Sequence, residues 1–160
     1  MTANKAQIAY WNGPTGEEWA THNNQTERSL AQAAAAALRL AAARPGERVL
    51  DIGCGAGAAS QALAVRVGPG GHVTGLDVSR PLLDLARSLR QARNLEFIEA
   101  DAALYPFHAE YGLIFSLFGV MFFVDPPAAF ANIRKAAAPG GRLAFVCWRP
   151  VEENEWASLS

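Results

Sequence analysis

The sequence predicts an α/β fold: a Rossmann-like, doubly wound parallel sheet of about five strands with flanking helices. Three observations carry that expectation. Short apolar runs alternate with helix-forming stretches from about residue 48 onward. Glycine- and proline-rich turns, Gly68-Pro69-Gly70-Gly71 and Pro139-Gly140-Gly141, return the chain toward the sheet. The first strand also runs directly into a glycine turn that opens a helix, Val49-Leu50-Asp51-Ile52-Gly53-Cys54-Gly55-Ala56-Gly57. Strands that alternate with helices need crossover connections. Right-handed crossovers lay the strands parallel, with both faces covered.

Taken in order, residues 1–25 are polar and aromatic, and Gly13-Pro14 breaks any early helix. Residues 26–43 are alanine-rich and predict a helix that Arg44-Pro45-Gly46 stops. Strands are expected at about 48–52, 72–77, 95–99, 111–117 and 142–148. Helices are expected between them at about 57–67, 80–92 and 126–137. Ser79 stands where an N-cap is needed, with Pro81 in the first turn; Asp125 before Pro126 does the same for the last helix. The exit from the fourth strand, Leu117 to Phe123, is unusually apolar for a loop. It reads either as a buried strand extension or short helix packed in the core, or as the wall of a pocket for a hydrophobic or aromatic molecule.

Composition narrows the function classes. The chain has 160 residues, enough for one domain with one core, and a net charge of -1. That balance gives no reason to expect nucleic acid or an anionic membrane as partner. No apolar run is long enough to span a bilayer, and the N-terminus lacks a secretory pattern. Two cysteines, Cys54 and Cys147, make no disulfide framework, so a reduced, cytoplasmic protein is expected. His22, His72 and His108 have no metal spacing with each other or with the cysteines, so no metal site is expected.

The glycine turn points to a nucleotide-like ligand. Glycine permits positive φ and close approach of a ligand to the main chain, and the helix beyond offers free N–H groups. The run Gly53 to Ala58 also satisfies the loose dinucleotide pattern. A pyrophosphate on the turn would, however, be repelled by Asp51, two residues upstream. A ligand with a cationic amino-acid end suits Asp51 better, and S-adenosylmethionine is one.

The motif Asp51-x-Gly53-x-Gly55-x-Gly57 resembles the first signature of the class I S-adenosylmethionine-dependent methyltransferases. Val73 to Asp77, Phe97 to Ala102, Tyr111 to Ser116 and Pro139 to Leu143 resemble the later strands and turns of that family, in its order. The branch is the one related to ubiquinone- and menaquinone-biosynthesis methyltransferases. Tyr10-Trp11-Asn12-Gly13-Pro14 fits one bacterial subgroup of it. The resemblance implies one domain: an N-terminal cap and helix over 1–43 and an S-adenosylmethionine-binding core over 44–160.

It also implies roles. Asp51, Gly53, Cys54, Gly55 and Gly57 would hold the methionine end of the cofactor. Asp77 would accept from the ribose hydroxyls, with Leu76 and Val78 beside the adenine. Asp101 and the Ala102 N–H would meet the adenine edge, and Ser116 would lie under the methyl group. Tyr10, Trp11 and Trp19 would belong to a segment that folds over the ligand. The acceptor would be a small apolar or aromatic molecule. No catalytic residue is named, because an acidic acceptor needs little help from the protein; His22 and His108 are weak candidates for a base.

Two other classes stay in view. One is a module or inactive fragment that binds S-adenosylmethionine or S-adenosylhomocysteine without turnover. The other is a nicotinamide-dependent oxidoreductase, which Asp51 and the Asp101-Ala102 step disfavour. Relatives carry two further strands after the fifth, and only about a dozen residues follow Trp148 here. The run Leu143 to Trp148 is then expected as an exposed apolar edge, open to self-association, with Glu152 to Trp156 as a partial cover.

Overall fold

A computed structural model of the chain describes residues 4–154. Its sheet has five parallel strands: β1 (Arg48–Ile52), β2 (His72–Asp77), β3 (Leu95–Glu99), β4 (Tyr111–Leu117) and β5 (Ala137–Val146). The spatial order is β3-β2-β1-β4-β5. In-register parallel pairing aligns Asp51 with Gly75 of β2 and with Phe115 of β4. The winding reverses between β1 and β4, which opens a crevice beyond the carboxyl ends of the central strands.

Strand alternation divides the core. Val49, Val73, Leu113 and Phe115 face α3 (Asn23–Ala41) and α4 (Ala58–Val67), where Ala37, Ala41, Leu63 and Val67 are buried. Leu50, Ile52 and Ile114 face the other way, against Ile133 of α6 (Pro126–Ile133). Helix α5 (Arg80–Leu89) buries Leu82, Leu83 and Ala86. Ala37 and Ala41 share a core with β1, so the alanine-rich helix is a layer of the sheet domain.

The structure departs from the sequence reading in several places. Residues 1–25 hold two whole helices in their described part, α1 (Lys5–Trp11) and α2 (Pro14–Thr21), and the first residues of α3, which starts at Asn23. Gly13-Pro14 does break the chain, but Pro14 then starts α2, where its missing N–H has no helical partner to lose. Helices α5 and α6 are shorter than expected, ending at Leu89 and Ile133. Strand β5 starts earlier, at Ala137, because the glycines form an irregularity within its pairing to β4. Asp125 caps α6 by accepting from the Ala128 N–H at 3.0 Å. Ser79 occupies the N-cap position of α5 but makes no cap bond there.

One ion pair ties the layers together. Arg142 of β5 donates to Glu47 Oε2 at 3.0 Å and to the carbonyls of Ala41 and Ala42 at 2.9 and 2.8 Å. These carbonyls end α3, where Ala42 takes a left-handed conformation. Burial alone would raise the Glu47 carboxyl, but the Arg142 guanidinium and the Arg44 N–H hold it below its ordinary value. Further along β5, Leu143 and Phe145 are 41 % and 49 % exposed. A short 3-10 turn, Val151–Glu153, follows, with Arg149 paired to Glu153. Glu155 and Trp156 of the expected cover lie outside the described residues.

Candidate functional site

A cavity of about 730 Å³ fills the crevice at the strand ends. Its floor is the glycine turn, where Gly53, Gly55 and Gly57 all have positive φ. Gly53 is needed for a second reason. A Cβ there would sit 2.6 Å from the Gly119 Cα, because the turn after β1 touches the exit of β4. The Gly53 and Cys54 N–H groups both donate to the Leu76 carbonyl, at 2.8 and 3.2 Å, which locks the turn to β2.

Three of the carboxylates that line this cavity come from different strand ends. Asp51 is 1 % exposed and its Oδ2 accepts from Ser60 Oγ at 2.6 Å. Burial pushes its carboxyl up to about 7; Ser60 opposes that shift and Asp77 adds to it. Asp77 accepts from the Gly55 N–H through Oδ2 and from the Ser79 N–H through Oδ1, both at 2.8 Å. Burial raises it as well, against these backbone donors. Each of its oxygens keeps a further lone pair for a ligand hydroxyl. Asp101 accepts through Oδ1 from Asn4 Nδ2 and from the Ala103 N–H, both at 2.9 Å. Its Oδ2 is buried without a hydrogen-bond partner among the described residues.

The other walls differ in character. Trp11 meets Trp19 and Phe122 edge to face at 5.4 and 5.3 Å. Phe118 has φ of +63° and stacks on Trp148 at 4.5 Å. The junction of α2 and α3 adds the polar residues His22, Asn23, Thr26 and Glu27 to the lining. His22 Nδ1 lies 3.0 Å from the Glu18 carbonyl, which favours the tautomer protonated at Nδ1. The Cys54 thiol is buried, and burial together with Asp77 and Asp51 pushes it well above its ordinary value.

The residues expected from sequence separate into two groups. Asp51, Gly53, Cys54, Gly55 and Gly57 line the cavity together. So do Asp77, Val78, Asp101, Ala102 and Trp19. Ser116 and Tyr10 are not among the lining residues. The Ser116 hydroxyl donates to the Ile52 carbonyl at 2.7 Å and accepts from the Val120 N–H at 3.2 Å, so it stitches β4 to β1. Tyr10 is 54 % exposed, and its neighbour Trp11 takes the inward position. The reason is helical phase: consecutive residues of α1 cannot share a face. His72 pairs with Glu96 at the opposite ends of the strands, and His108 is exposed away from the cavity. Sequence reasoning assigned no role to Asn4 or Asn12. Asn12 had a visible signal in the Tyr10-Trp11-Asn12-Gly13-Pro14 motif; Asn4 had none.

Residues 49–141 match the family model described as a methyltransferase domain. The chain belongs to the class I S-adenosylmethionine-dependent methyltransferase family. A demethylmenaquinone methyltransferase of Thermus thermophilus is 36 % identical over 117 residues, covering 71 % of this chain and 53 % of the relative. An aklanonic acid methyltransferase of a Streptomyces species is 38 % identical over 104 residues, covering 62 % of this chain and 47 % of the relative. This methyltransferase domain thus spans about half the length of these curated relatives. Among solved structures, an S-adenosylmethionine-dependent methyltransferase from Aquifex aeolicus superposes with a TM-score of 0.67. At 22 % identity, over 94 % of this chain and 75 % of that one, it supports the fold.

Proposed function

We propose that the chain binds S-adenosylmethionine in the crevice and directs its methyl group to a small apolar or aromatic acceptor. The observation that carries this reading is the convergence of Asp51, Asp77 and Asp101 on one cavity around the glycine turn. The residues fit the cofactor. The unpartnered Asp101 Oδ2 suits an exocyclic amine, and the remaining lone pairs of Asp77 suit vicinal hydroxyls. Asp51 suits an ammonium group, whose charge would offset the burial that now holds the carboxyl up. A pyrophosphate would meet a buried acid instead, which speaks against a nicotinamide cofactor.

When bound, the cofactor supplies an electrophilic methyl carbon on a sulfonium. The protein's part is to align an acceptor with it and to keep water away. Trp11, Trp19, Phe118 and Phe122 offer apolar faces for a flat molecule. His22 and Glu27 add polar side chains to the cavity lining. The relatives named for demethylmenaquinone and for aklanonic acid support an acceptor of this broad kind. The free thiols Cys54 and Cys147 support a reducing, cytoplasmic setting. Among the described residues, no helix is long and apolar enough to cross a membrane.

Calorimetry with S-adenosylmethionine, S-adenosylhomocysteine and NAD tests the cofactor. Tighter binding of NAD than of either adenosyl ligand would overturn the assignment. Transfer of a radioactive methyl group to a panel of phenols, naphthols and quinols then separates an enzyme from a binding module.

A further inference from the structure

We propose that Asn12 and Ser79 form a latch that couples closure of the N-terminal helices to the Asp77 carboxylate, making them positioning residues for the cofactor. The inference rests on the proposed function and adds a coupling between lid and cofactor. Asn12 ends α1, and its amide links two elements 66 residues apart. Nδ2 donates to the Val78 carbonyl at 2.7 Å and to the Ile8 carbonyl at 2.8 Å, while Oδ1 accepts from the Arg80 N–H at 2.9 Å. Asn12 therefore supplies the cap that α5 does not receive from its own N-cap residue.

Ser79 cannot cap α5 because its hydroxyl is engaged elsewhere. It is fully buried and donates to the Trp11 carbonyl at 2.8 Å. Its own N–H donates to Asp77 Oδ1. The path from lid to cofactor is thus continuous: Trp11 and Asn12 hold residues 78–80, and residue 79 holds Asp77. Gly16 allows the contact to close. A Cβ at that position would lie 1.9 Å from the Trp11 carbonyl oxygen and 3.1 Å from Ser79 Oγ. The Trp11 side chain lines the cavity, so one dipeptide carries both the latch and part of the wall.

Lifting the lid would strip the Arg80 N–H of its cap and leave the buried Ser79 hydroxyl without its acceptor. A ligand that needs Asp77 in place therefore favours the closed lid. By reciprocity the closed lid raises the affinity for that ligand.

A double-mutant cycle on the 160-residue chain tests the latch, with S-adenosylhomocysteine titrated calorimetrically into Asn12→Ala, Asp77→Asn and the double variant. Asn12→Ala is expected to weaken binding roughly tenfold in the presence of Asp77, and less than about threefold in the Asp77→Asn background. Ser79→Ala, which removes only the link to the Trp11 carbonyl, should show the same dependence on Asp77 if Asn12→Ala folds poorly. Protection of the N-terminal helices from trypsin by the ligand should also disappear in Asn12→Ala. Equal losses in both backgrounds, or unchanged affinity, would overturn the latch while leaving the cofactor assignment intact. Failure of the unmutated chain to bind S-adenosylhomocysteine would overturn both.

Discussion

Replacing Asp51 by asparagine should separate the stability of this domain from its ligand affinity. Asp51 ionises near 3.8 in an unfolded chain, but burial raises it to about 7 in the folded one. Between those values the folded state keeps a proton that the unfolded state has lost. The contribution of this group to stability is therefore complete below about pH 4 and is lost as pH rises through about 7. The whole difference is about three pH units, or about 4 kcal/mol at roughly 1.4 kcal/mol each. About 2.5 kcal/mol of it falls between pH 5 and pH 8. Asp51→Asn cannot ionise, so in the absence of ligand it should gain about that much on the unmutated chain over this interval. Any penalty for an unpaired amide donor shifts both ends equally and drops out of the comparison. Urea melts of both proteins at pH 5 and pH 8 measure it. A pH-independent difference, or a loss on going to pH 8, would contradict a buried, protonated Asp51. With S-adenosylmethionine the order should reverse, because an ammonium beside Asp51 favours the ionised form. Affinity of the unmutated chain should then rise with pH toward about 7, and Asp51→Asn should lack that rise.

Three other perturbations reach different parts of the molecule. Asp77→Ala should weaken adenosyl-ligand binding by roughly 2–4 kcal/mol without loss of the fold, because it removes charge-assisted bonds to hydroxyls; an unchanged dissociation constant by calorimetry would count against the ribose assignment. Arg142→Ala should destabilise the fold by about 2–4 kcal/mol, somewhat below the range for a fully buried pair because Arg142 is partly exposed; denaturant melts measure it, and a loss below about 1 kcal/mol would show that Glu47 is satisfied without it. The chain should self-associate through β5, where Leu143 and Phe145 are exposed, and Phe145→Lys should reduce that association; light scattering that finds a monodisperse monomer before mutation would contradict it.

The parallel sheet, the glycine turn and the three acids around it were legible in the chain because each is a local signal. Strand period, turn chemistry and the residue at a strand end depend on neighbours in the chain. Asp51, Asp77 and Asp101 were therefore legible, and all three line the cavity. What those signals meet depends on packing. Ser116 faces Ile52 and Val120 because Gly119 lies against Gly53, a contact no local pattern encodes. The N-terminal polar stretch is helical because Trp11, Trp19 and Phe122 meet and give it a face to bury. Ser79 held the position of a cap, yet its hydroxyl goes to Trp11 and Asn12 caps the helix instead, from 68 residues away. A hydroxyl or amide satisfies whichever partner the fold brings within 3 Å. Sequence fixes that such a group needs a partner, and only packing selects which one.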